Sequence, residues 1–180
     1  MRVLPFVIAA LALASLTGCT PPRTPDGELS VWSNGQANSM RMEGDRAWGP
    51  VIELKRFDGA YRGTVQGHVV DLHFTGDRVH GTVGAGRFDL HVSTEGGKVH
   101  GQGLVNSHIS TFDVDGEAIE GSFGSCAYDM KRKNPETDEY VGYRSCAGNP
   151  VPASRVTIPA YIRDLPALDQ ATLYALLLTG

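Results

Sequence analysis

The chain has 180 residues, of which 22 are Gly, 10 Pro and 3 Cys, and its formal net charge is -4. With 41% hydrophobic and 20% charged residues it can bury a core and is not a disordered polyelectrolyte. The acidic surplus speaks against nucleic acid as a partner, and Gly without a Gly-X-Y period excludes a collagen.

Arg2 precedes an apolar run from Val3 to Leu16. That run is short for a membrane span and carries the flanks of an export signal. It closes on Leu16-Thr17-Gly18-Cys19, an aliphatic residue, two small ones and a Cys. This resembles the lipobox of bacterial lipoproteins. The resemblance covers residues 1–19 alone. It implies that residues 1–18 are a signal peptide, that Cys19 carries diacylglycerol on its sulfur, and that the new amine is acylated. The membrane is then a partner through the anchor at Cys19. Thr20 stands where an Asp would retain an enterobacterial lipoprotein in the inner membrane, so the outer membrane is the expected address. Residues 19–30 contain three Pro and little apolar surface, and read as a flexible tether. Residues 31–180 read as a single β-rich domain, although 31–50, with Trp32 and Trp48, show no pattern that assigns them.

Residues 51–123 carry a repeat. Val70-Asp71-Leu72-His73-Phe74 matches Phe88-Asp89-Leu90-His91-Val92, and Arg78-Val79-His80-Gly81 matches Lys98-Val99-His100-Gly101. Apolar and polar residues alternate, the period of a half-buried strand. Turn pairs recur at Gly67-His68, Gly76-Asp77, Ala85-Gly86, Glu95-Gly96, Asn106-Ser107 and Gly116-Glu117. Most contain a residue that tolerates positive φ, as two-residue hairpins require. These turns predict an antiparallel meander of about eight short strands. Tyr61, Leu72, Val79, Leu90, Val99, Phe112 and Ile119 fall on one face. The expected fold is all-β, a small up-and-down barrel, or a curved sheet with its apolar face covered. A short C-terminal helix over 164–178, capped by Asp164, is the candidate cover.

The same register lines up His73, His80, His91 and His100 on the polar face. Directly opposed side chains stand about 4.5–5.5 Å apart at Cβ, which suits two imidazoles on one Zn, Cu or Ni ion. An exposed strand position also accepts His freely, so a repeat copied several times explains the row without a ligand. Cys126 and Cys146 remain once Cys19 carries lipid, and an oxidising compartment favours a disulfide between them. The charged run between them reads as a solvated loop.

The chain contains no G-x-S-x-G elbow, HExxH or calcium loop. Three functional classes follow. The first is a non-enzymatic envelope lipoprotein that binds a protein or a surface polymer. The second is a barrel carrier of an apolar small molecule. The third is a metal-binding protein using the His row.

Overall fold

The computed structural model describes residues 27–33, 35–152 and 154–179. The expected signal peptide, Cys19 and most of the tether lie outside them. The strands in chain order are β1 Leu29–Ser33, β2 Gln36–Glu43, β3 Arg46–Gly49, β4 Ile52–Phe57, β5 Ala60–Val65, β6 His68–Thr75, β7 Arg78–Val83 and β8 Gly86–Glu95. They continue as β9 Lys98–Val105, β10 His108–Val114, β11 Ala118–Phe123, β12 Cys126–Arg132, β13 Glu139–Cys146, β14 Asn149–Pro150 and β15 Arg155–Thr157. Two helices end the described chain, α1 Ala160–Arg163 and α2 Ala167–Leu178.

Each strand from β1 to β13 pairs antiparallel with the next, and β15 pairs with both β13 and β1. The sheet therefore closes into a barrel of fourteen strands, with two-residue β14 appended to β13. The expected eight strands correspond to β4–β11, the span of the repeat. The count is corrected because β1–β3, β12, β13 and β15 pair in the same sheet without sharing the repeat's sequence. Closure leaves no long unpaired edge, the usual hazard of an antiparallel sheet.

The tether boundary also moves. Leu29 and Val31 alternate inward and are buried, so the wall begins inside the expected 19–30 segment. Glu28 is buried as well, with Arg41 Nε donating to it at 2.6 Å.

A fourteen-stranded wall with ordinary spacing and tilt is about 28 Å across, too wide for its own side chains to fill. α2 fills it. A helix with side chains is about 10–12 Å wide. Every residue from Asp169 to Leu178 is buried, and the helix packs on β7, β8, β9 and β11 from one side and on β1 from the opposite side. A helix apolar all round is stable only when surrounded, which is its position here. The expected start at Asp164 is corrected. Asp164 ends α1, donating its N–H to the Ala160 carbonyl at 3.0 Å. Pro166 lacks the N–H and disfavours a helical residue before it, so α2 starts at Ala167.

Glycine sets the curvature. Gly63, Gly81, Gly103 and Gly142 have φ between 147° and 156°. A Cβ on each would lie 2.0–2.3 Å from a carbonyl oxygen of the adjoining strand. These positions lie on β5, β7, β9 and β13, all odd-numbered strands, where the backbone approaches its neighbour too closely for any side chain. Gly81→Ala is expected to cost several kcal/mol, because both backbone and neighbour must move. Gly96→Ala should cost about 1 kcal/mol, since its Cβ meets nothing within 4 Å and only positive φ opposes it. Thermal or urea unfolding of the two variants checks the difference.

Candidate functional site

The outer wall carries the residues that the repeat placed on its polar face, and the predicted histidine row can be followed across it. His73 faces His80 across β6 and β7, with ring centroids 6.0 Å apart. There the row breaks. His80 opposes Asp89, His91 opposes Arg78 and Gln102, and His100 opposes Ser93 and Asp113. The turns explain the break. The hairpins turn at Gln66-Gly67, Gly84-Ala85 and Gly96-Gly97, each one residue away from the expected pair. Gln66, Gly67, Gly84, Gly96 and Gly97 all have positive φ, as primed turns demand at their first or both positions. A turn moved by one residue slides the pairing by two, so every side chain keeps its face while its opposite partner changes.

Each histidine has its own polar neighbour. His73 Nε2 lies 3.3 Å from Asp71 Oδ1, His80 Nε2 3.2 Å from Thr75 Oγ1, His91 Nδ1 3.9 Å from Asp77 Oδ2, and His100 Nδ1 2.9 Å from Asp113 Oδ1. Among the described residues no group of three or more His, Cys, Asp or Glu comes together to hold a metal ion. The carboxylate beside His80 is itself occupied. Asp89 accepts two hydrogen bonds from Arg78 at 2.6 Å and one from Arg87. The Arg78 guanidinium, with Arg87 behind it, holds the Asp89 carboxyl down at about 2.

Cys126 and Cys146 are directly opposed on β12 and β13 and form a disulfide, with Cα atoms 4.0 Å apart. The bond pins the mouth of the long hairpin that includes the charged loop.

A part-buried ion pair joins the wall to α2. Arg56 continues the inward parity of Ile52 and Leu54 on β4. Its guanidinium donates to both carboxylate oxygens of Asp169 at 2.6 and 3.0 Å. The Asp169 side chain is 2% exposed, against 34% for Arg56. Asp169 also sits in the first turn of α2, where the helix dipole favours a carboxylate. Tyr61 is fully buried beside the pair, and burial together with the Asp169 charge pushes its phenol far above its ordinary value. The sequence signal was present: an Arg at an inward strand position and one Asp in an otherwise apolar helix.

At the other end of α2, Tyr128 donates to the Leu178 carbonyl at 2.7 Å, and burial raises its phenol to about 12. The cavity beside that end measures about 40 Å³ and is lined by Val65, Phe88, Val105 and Leu176 among others. Pockets that enclose small molecules are roughly 300–1,000 Å³.

Compared with known proteins, the chain matches no family model, no curated protein and no solved structure. The fold defines it as a closed antiparallel barrel with a helical core.

The Arg56–Asp169 pair has unequal halves. Arg56→Gln strands a carboxylate that has almost no contact with water, and should cost about 3–5 kcal/mol. Asp169→Asn leaves a guanidinium that reaches solvent, and should cost at least about 1 kcal/mol less. Chemical denaturation of both variants measures the asymmetry.

Proposed function

We propose that this is a lipid-anchored cell-envelope protein without enzymatic activity, a rigid binding or structural module that works through its outside. The lipobox-like Leu16-Thr17-Gly18-Cys19 supports the anchor, with the outer membrane as its address. The filled barrel supports the emphasis on the exterior. A carrier of apolar cargo needs an interior several times larger than the cavity at the end of α2.

The observation that carries this reading is the difference between the two ends of the barrel. β1 enters from the end where α1 and α2 begin, and Tyr161 donates to the Gly27 carbonyl there at 2.7 Å. The described chain begins at this end, at Gly27. The hairpins here carry Asp45, Asp58, Asp77, Asp115, Glu117, Lys133, Glu136 and Asp138. Cations share this end, Lys55 beside Asp45 at 3.6 Å and Lys98 beside Asp115 at 3.7 Å, so it is a charged, well-solvated end.

The far end is different. Its turns, at Pro50-Val51, Gln66-Gly67, Gly84-Ala85, Asn106-Ser107, Gly124-Ser125 and Ala147-Gly148, contain no Asp, Glu, Lys or Arg. Gln66, Asn106, Ser107 and Ala147, the non-glycine residues of positive φ among those described, all lie there. Beside them Val69 is 66% and Ile109 82% exposed. Absence of charge in the turns and exposed aliphatic side chains are features of a recognition surface. A partner in the envelope, a protein or a surface polymer, would meet this end first.

Cys19→Ser is expected to move the protein from the membrane to the soluble fraction, and a fatty-acid analogue should label only the wild type. Unlabelled wild type contradicts the anchor. A photo-crosslinking residue at Ile109 should give an adduct in intact envelopes, and the same residue at Glu117 should not. Equal yields at both sites contradict the polarity.

A further inference from the structure

On the outer wall of β3, β4 and β5, three cations stand in one cross-strand row. Arg46 is directly opposite Lys55, and Lys55 is directly opposite Arg62. Like charges at directly opposed positions destabilise a sheet. Each cation leans on one carboxylate, Arg46 on Glu53 at 3.3 Å, Lys55 on Asp45 at 3.6 Å and Arg62 on Asp71 at 3.0 Å. All six side chains are at least half exposed, so these pairs are weak and readily exchanged for ligand oxygens.

The row lines a concavity. A groove of about 330 Å³ is bounded by Arg46, Glu53, Lys55, Arg62 and Thr64, with Leu54 and Gly63 in its lining. Gly63 shares the inward parity of Tyr61 and Val65 and contributes only backbone to the groove. Two aromatic side chains flank it. Trp48, directly opposite Glu53, is 42% exposed, and Phe57 is 43% exposed. Lys55 Nζ and the Arg62 guanidinium lie 5.4 and 5.8 Å from the Phe57 ring centre.

We propose that this groove binds an acidic saccharide, with Arg46, Lys55 and Arg62 taking its carboxylates and Phe57 or Trp48 stacking on a sugar ring. The side chains of the charge row themselves wall the groove. Three cations across adjacent strands suit an anion that repeats along a chain rather than a single small ion. Glu53 and Thr64 supply acceptors and a donor for sugar hydroxyls, which a bare anion would not use. Trp48, with Arg41 5.8 Å from its ring centre, and Phe57 each keep part of their surface in water, where the apolar face of a sugar ring could pack. The assignment rests on the reading that the barrel works through its outside, and adds a saccharide site on the wall of β3–β5, apart from the far-end turns. It does not depend on the lipid anchor, which is read separately at Cys19.

The test is titration of the full chain in detergent with trigalacturonate, followed by calorimetry and by amide chemical shifts. Shifts should be confined to β3–β5, should fade with added salt, and should be largely lost with the methyl-esterified trimer. Lys55→Gln and Arg62→Gln should each weaken binding by at least about fivefold, near 1 kcal/mol. Phe57→Ala should also weaken it. Lys55→Gln should not lower the melting temperature, because it removes the middle charge of a repelling row. That combination, weaker binding without lost stability, separates a binding role from a structural one. Absence of binding at millimolar trimer, equal binding of the methyl ester, or variants that bind as the wild type would each overturn the proposal.

Discussion

The structure depends on filling a lumen that its wall cannot fill. Fourteen strands enclose more space than inward side chains can occupy, and unfilled space costs both hydration and dispersion energy. The last described helix occupies it. Leu173, Tyr174, Ala175, Leu177 and Leu178 on α2 are almost wholly excluded from water, and so are Leu72, Val79, Phe88 and Leu90 on the wall. Neither layer has another surface to bury. The helix needs the wall on every side, and the wall needs the helix along its axis.

Polar groups at the two ends of α2 set its position. Arg56 and Asp169 join β4 to the first turn. Gln170 donates to the carbonyls of Arg163 and Leu165 and accepts from Tyr174, which satisfies the chain where it bends between the helices. Tyr128 takes a terminal carbonyl at the far end. An apolar cylinder in an apolar tube could slide or rotate at little cost. Directional bonds at its ends oppose that, because each would be left unmade in a dry interior. The outer wall is then free to vary, since it carries charge, groove and turn chemistry without touching the core.

Most of the β4–β11 segment was legible in the sequence because alternation and turn pairs are local signals. Tyr61, Val79 and Phe112 face inward and His80 outward, as the alternation predicts, since turns displaced by one residue change partners but not faces. The same displacement dispersed the histidine row, whose meaning depended on partners. The turn at Gln66-Gly67 was hidden by Gln66, a residue seldom found at positive φ. The strands outside the repeat were missed for a different reason. Short β3 and β15 have too few residues to show a period, and they are strands because closure gives them neighbours. The charge row of Arg46, Lys55 and Arg62 spans three strands and exists only once their register is known.

Hydrogen exchange of α2 amides in the native protein tests the central claim most directly. If the helix is the filling on which the barrel depends, the amides of Ala171–Leu177 exchange only when the whole molecule unfolds. Their opening free energy then equals the global value and matches that of Leu72, Leu90 and Phe112 on the wall. Denaturant should shift both sets along a single line. Exchange of the helix at markedly lower free energy, with the wall still protected, would mean that the barrel stands without it and would contradict the account.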